Sequence, residues 1–290
     1  MSDSFTFEIR RLAMGLRRAA FMFAPTSVDE APGVTIRRAI GGDRMAILDP
    51  FLLLDHPTVA AGSEVAGFPR HPHRGIETLS YVFSGEVGHK DSLGNQGTVG
   101  EGGSQWMTAG NGIFHEEMLI PGPNGAEFLQ LWFSLPQSLK RVAPRYVGAN
   151  PDSVPEVAIK GGAIRVVAGS FEGAEGPFKG IAVNPTVLDI RLDGNASLTL
   201  PTIAGEAAFV YVIHGSLSVG EKSAISPQLV VLSDGDSVQF DAGSDGARAL
   251  FVSAKPLNEP ILQYRSLVMN TVEDIEESVK MIESGSFASA

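Results

Sequence analysis

Three histidines and a glutamate fall into two pairs of alternate residues: His71 with His73, and His115 with Glu117. Residues two apart in an extended strand lie on one face, so each pair presents two donor groups side by side. Two neighbouring strands carrying these pairs on a common inner face would bring three imidazole nitrogens and one carboxylate oxygen around a single point. Such a set suits Fe, Mn, Co, Ni, Cu or Zn and leaves positions for water or a substrate oxygen. A lone His-x-His is more often structural than metal-binding. Here the chain has only six histidines, and three of them fall in these two pairs within one glycine-rich segment. Three neutral donors and one carboxylate leave a divalent ion with net positive charge, open to an anionic chelating oxygen ligand.

The elements that must position these residues read as strands. With 290 residues the chain can bury a sizeable core, as two domains or one large one. Its 33 glycines and 18 prolines, set between short apolar runs, favour an all-β protein rich in turns. The absence of cysteine rules out disulfides and thiolate ligands and fits a reducing cytoplasm, the location expected. A net charge of −11 argues against direct binding to nucleic acid. No apolar run approaches the ~18 residues that a membrane span needs. Residues 7–24 mix arginines with apolar residues, and Arg17 and Arg18 interrupt what a secretory signal would keep continuous. An extra strand or short helix before the fold is expected there.

Strand signals recur at Val34–Arg38, Phe51–Leu54, Glu77–Phe83, Val87–His89, Gln105–Thr108, Ile113–Met118 and Phe128–Ser134, with turn sequences such as Ser84-Gly85 between them. His56, before Pro57, reads as a loop residue. Residues 136–162, with Pro136, Pro144, Pro151 and Pro155, read as a linker. A second set of strands follows and repeats the first. Tyr81–Gly85 matches Tyr211–Gly215, 130 positions on, and Gly102–Gly110 matches Gly235–Gly243, 133 positions on. These offsets carry His71 and His73 to Pro201 and Ile203, and His115 and Glu117 to Arg248 and Leu250, so the second copy lacks the donor set. His214 reads as structural. Thr271 as N-cap, acids in the first turn, and Ile275, Val279 and Ile282 at helical spacing predict a C-terminal helix.

The strings His71–Thr78, Gln105–Gly110, Gly112–Met118 and Leu129–Trp132 resemble the pirin family of bicupins, over about residues 34–285. The resemblance implies an all-β fold of two cupin-type β-barrels facing each other, with a short C-terminal helix. It divides the chain into an N-terminal extension (1–33), a metal-binding barrel (34–145), a barrel without metal ligands (146–257) and a tail with the helix (258–290). The family's ligand pattern falls on His71, His73, His115 and Glu117, holding one transition metal, usually iron, with Mn, Ni, Co, Cu and Zn as alternatives. Glu77 takes the place of a carboxylate ligand in the wider cupin pattern; in pirin-like sequences it is not a ligand, and a role backing the ligands is expected. Pirin-like proteins include enzymes that cleave the central ring of quercetin-type flavonols with O2 and release carbon monoxide. In that chemistry Glu117 accepts the proton of the flavonol 3-hydroxyl and is the catalytic residue. Phe68, Trp106, Met107, Phe114 and Met118 are candidates either for an apolar wall against such a ligand or for core. Two other functions remain open from the residues: a metal-dependent regulatory protein, a transcriptional co-regulator acting through a protein partner, and a different small-molecule reaction at the same site.

Overall fold

The structure is a computed structural model and describes residues 15–288. Residues 7–14 of the stretch expected to precede the fold lie outside the described residues. In chain order the strands begin with β1 (Ala19–Phe23), β2 (Thr26–Val28), β3 (Thr35–Ile40), β4 (Phe51–Val59), β5 (Ala66–His73), β6 (Ile76–Ser84), β7 (Glu86–Asp91), β8 (Gln96–Gly100), β9 (Ser104–Thr108), β10 (Ile113–Ile120), β11 (Ala126–Ser134) and β12 (Arg145–Ala149). There follow β13 (Glu156–Ile159), β14 (Gly162–Ala168), the short ribbon β15 (Ser170–Phe171) and β16 (Ala174–Glu175), β17 (Thr186–Leu192), β18 (Ser197–Pro201), β19 (Ala207–Val219), β20 (Lys222–Ile225), β21 (Gln228–Leu232) and β22 (Ser237–Ala254). The chain ends with β23 (Leu262–Tyr264), β24 (Leu267–Met269) and the helix α1 (Val272–Glu283).

The protein is all-β, built from two cupin-type halves. Their ladders do not run round into closed rings. The first half pairs a seven-stranded sheet, β12-β9-β6-β11-β4-β3-β2, with a four-stranded sheet, β5-β10-β7-β8. The second half repeats the larger sheet strand for strand as β1-β21-β19-β22-β17-β14-β13, with β18 and β20 attached to the long strands β22 and β19. Tyr81 lies between Leu129 and Ser104, and Tyr211 lies between Leu250 and Leu229, at matching places in the two sheets. β1, from the segment expected as an extension, takes the edge of the second sheet that β12 takes in the first. β12 spans the expected 145/146 boundary, and with β13 it turns much of the expected linker into paired strand.

The second sequence match is corrected by the ladders. The partner of β9 in the second half is β21, not Ser237–Asp241, because Ser237–Asp241 pairs with β18 as β10 pairs with β5. Anchoring Val87 on Leu217 then carries His115 to Val238 and Glu117 to Phe240. Val238 lies opposite Leu200, as His115 lies opposite His71. Leu200, Val238 and Phe240 are all buried in the apolar core of the second half. The donor set is replaced there by packing, not by Arg248 and Leu250.

The larger sheets face each other across a shared core that includes Phe51, Tyr81, Phe133, Phe209 and Tyr211. Two tyrosines cross this interface reciprocally. Tyr81 Oη donates to Asp189 Oδ2 on β17 (2.8 Å), while Tyr211 Oη lies 3.1 Å from His56 Nδ1 on β4. His56 is therefore a buried strand residue rather than a loop residue, and its other nitrogen donates to Glu127 (2.7 Å). Asp189, fully buried, also accepts from Arg248 Nε and Nη2 (3.0 and 2.8 Å). Asp189→Ala leaves the partly buried Arg248 guanidinium and the buried Tyr81 phenol without their acceptor, and about 3 kcal/mol of unfolding free energy, the low end for a broken buried pair, should be lost, measured by denaturant titration.

The tail crosses back onto the first half. Val268 N donates to Arg74 O (3.0 Å), and the Arg74 guanidinium, itself buried, reaches Ser278 of α1 and Asn111. α1 starts at the expected cap, with Thr271 Oγ1 accepting from Asp274 N (3.2 Å). Among the described residues no helix is long and apolar enough to cross a membrane.

Candidate metal centre

β5, β10 and β7 lie side by side and set the geometry. His71 stands opposite His115 and His73 opposite Ile113 on β5–β10, and Glu117 stands opposite His89 on β10–β7. β10 alternates strictly, with His115 and Glu117 buried and Phe114, Glu116 and Met118 half-buried on the other face. A bulge puts one extra residue of β5 between His71 and Phe68 and re-aims the histidine pair. Gly67 permits the close approach of β5 to β10 here, since a Cβ would stand 2.3 Å from Glu117 O. Beyond the ligand pair, Gly75 turns at φ +74°, where a Cβ would meet Val268 O at 1.9 Å.

Two overlapping donor groups share His115: His71, His73 and His115 lie within 4.8 Å of one another by their donor atoms, and Glu117 groups with His115 and His89 rather than with the β5 pair. Ring centroids of His71, His73 and His115 lie 4.4–4.8 Å apart. His71 Nδ1 donates to Pro69 O (2.8 Å), which leaves Nε2 as a lone pair, and this atom lies 2.9 Å from His73 Nε2. Two nitrogens about 2.05 Å from one ion and at right angles to each other stand about 2.9 Å apart. His115 Nε2 is buried with no hydrogen-bond partner. Burial, and then its histidine neighbours, hold His115 well below the usual histidine range; burial and then His71 do the same to His73. Neutral imidazoles are the ligand form, so an ion displaces no proton from these two. An orphaned buried lone pair and a close nitrogen pair fit a transition-metal ion.

Glu117 is buried, and its Oε1 accepts from Gln105 Nε2 (2.7 Å) and Ser80 Oγ (2.8 Å). Oε2 carries no hydrogen bond among the described residues. A fifth residue belongs here that was not among the candidates read from the sequence. His89 is buried, and its Nδ1 lies 3.4 Å from His115 Nδ1; His89, His115 and Glu117 have donor atoms within 4.8 Å of one another. The available signal was a third alternate pair, His89 with Asp91.

Glu77 does not back the ligands. β6 is buried on both faces, and Glu77 shares the face of Leu79 and Tyr81 towards the second half, where it accepts from Thr108 Oγ1 (2.7 Å) and Ala182 N (2.9 Å). Glu77→Gln should therefore leave metal content unchanged, as checked by elemental analysis. The apolar wall also differs from expectation. Only Phe68 of the five candidates borders the cavity above the donors. Trp106 stacks on Phe133 and Met107 is core, while Phe114 packs on Phe287. The cavity, of about 710 Å³, is walled instead by Leu53, Trp132 and Met45, and His71, His73 and Glu117 open into it.

Residues 33–133 match the family model described as Pirin, and residues 187–288 match that described as Pirin C-terminal cupin domain. The chain belongs to the pirin family. It is 39% identical to pirin from Rattus norvegicus over 258 residues, which cover 86% of each chain. Among solved structures, a quercetin 2,3-dioxygenase from Acinetobacter baumannii superposes with a TM-score of 0.86 at 31% identity, covering 95% of this chain and 99% of that one. A bacterial pirin from Escherichia coli, solved in complex with nickel(II), has a TM-score of 0.65 at 19% identity, over 81% of this chain and all of that one. The last likeness is one of fold. Proteins of this pirin and cupin family bind a metal.

Proposed function

We propose that this pirin is a flavonol 2,3-dioxygenase that holds one transition-metal ion, iron first among the candidates, on His71, His73, His115 and Glu117. One observation carries the reading. His71, His73 and Glu117 open into a cavity of about 710 Å³ walled in part by Leu53, Phe68 and Trp132, within the ~300–1,000 Å³ usual for small-molecule sites. A flat aromatic ligand with a chelating oxygen pair matches both parts of that lining. The likeness to the quercetin 2,3-dioxygenase of Acinetobacter baumannii supports the same substrate class.

The bound ion supplies Lewis acidity and access to O2. The chain's residues do the rest. His71, His73 and His115 offer neutral nitrogens and leave the site cationic. Glu117 takes the 3-hydroxyl proton, and hydrogen bonds from Ser80 and Gln105 hold its carboxylate in one plane while it does so. Trp132 lies edge-on to His73 at 4.9 Å between centroids, and its buried Nε1 has no partner, so it can donate to a ligand oxygen. Leu53, Phe68 and Trp132 give the ring an apolar face, while Glu30, Arg38 and Asp55 line another part of the same cavity. Oxygen uptake with quercetin, compared with the flavone that lacks only the 3-hydroxyl, tests this reading. Consumption with quercetin and none with the flavone is expected; equal rates with both would remove Glu117 from its role.

A further inference from the structure

The residues behind the donor cluster, on the side away from the cavity, form a connected network. Asp91 lies on β7 opposite His115, with its side chain fully buried. Its Oδ1 accepts from Leu93 N and Asn95 N (2.9 and 3.0 Å), and its Oδ2 accepts from Asn95 Nδ2 (2.8 Å) and faces His89 Nε2 (3.1 Å). A carboxylate only accepts, so the His89 proton sits on Nε2 and its Nδ1 is a lone pair. That lone pair faces His115 Nδ1 at 3.4 Å. Two lone pairs facing each other would repel, so His115 carries its proton on Nδ1 and its lone pair on Nε2. Nε2 is the buried atom without a partner.

A second path runs to Glu117. Tyr146 of β12 stacks flat on the His89 ring, 3.9 Å between centroids and 9° from parallel. Its Oη donates to Gln105 Oε1 (3.0 Å), and Gln105 Nε2 donates to Glu117 Oε1 (2.7 Å). Neither His89 nor Tyr146 borders the cavity.

We propose that Asp91 and His89 form a hydrogen-bond relay that fixes the tautomer of His115, and that Tyr146, stacked on His89, orients Glu117 through Gln105. Both donors of β10 are thus aimed from behind by positioning residues on β7, β9 and β12. The inference rests on the proposed ligand set, but its first readout does not need the metal.

The test compares His89→Gln with His89→Leu in the full chain. Glutamine can still donate to Asp91 and accept from His115; leucine can do neither. In the metal-free wild type, nitrogen-15 shifts should show His115 protonated at Nδ1, with the same tautomer in His89→Gln and a mixture in His89→Leu. Loaded with Ni(II) alone, His89→Leu should release the ion about ten- to a hundredfold faster, the scale of a lost outer partner, and His89→Gln close to the wild-type rate. A metal-free wild type protonated at His115 Nε2 would overturn the relay. So would a His89→Leu chain with wild-type tautomer and release rate, or loss of stoichiometric metal in His89→Gln, which would make His89 a ligand. Should His89→Leu not fold, the wild-type tautomer and the His89→Gln chain still decide. A wild type that takes up no metal yet holds the Nδ1 proton would count against the ligand set and for the relay.

Discussion

His115→Ala is expected to lose both the metal and the activity. His115 sits at the middle of the cluster, with its ring 4.4 Å from His71, 4.8 Å from His73 and 5.3 Å from His89. It is the histidine common to both groupings of donors around the site. Removing it leaves His71 and His73 on β5 without the opposing nitrogen, and no donor from the second half can substitute, since Leu200, Val238 and Phe240 occupy the equivalent places. Elemental analysis of anaerobically purified chain should fall from one ion per wild-type chain to far below one. A His115→Ala chain that keeps a full ion would place the site elsewhere.

Glu117→Gln separates binding from proton transfer. The three histidines remain, and the amide still fits between Gln105 and Ser80. The amide cannot take the flavonol proton. Activity should therefore fall by ~10²-fold or more, the scale of a lost general base, and much further than metal content. The check is the rate of oxygen uptake divided by metal per chain. A parallel fall in both quantities would make Glu117 a ligand and no base.

The two donor pairs proposed as metal ligands were legible in the sequence because strand geometry is local. Residues two apart share a face whatever the sheet does next, so His71/His73 and His115/Glu117 announce themselves. The helix was legible for the same reason, through Thr271 and the acids after it. What stayed hidden depends on which strands become neighbours. β6 and β9 are buried on both faces, so hydropathy gives no alternation from which to tell their two sides apart. That is why Glu77 read as facing the donors when Ser80, on the opposite face of β6, is the one that reaches Glu117. It is also why Trp106 and Met107 were open candidates for the ligand wall. Trp132 on β11 was masked in the same way within FLQLWFS. The false repeat at Gly235–Gly243 arose because a glycine turn followed by a strand is common grammar, and only the pairing of β22 with β18 shows which strand it is. His89 is brought to Glu117 by the ladder between β7 and β10, a contact that no spacing along the chain encodes.

The most direct measurement is oxygen uptake and carbon monoxide release by wild-type chain loaded in turn with Fe, Mn, Ni and Co, with quercetin as substrate. At least one metallated form is expected to consume O2 and to release one carbon monoxide for each O2 consumed. A fully metallated chain that consumes no O2 with any flavonol would contradict the dioxygenase reading, and the protein would then be read as a metal-dependent binding or regulatory member of the pirin family.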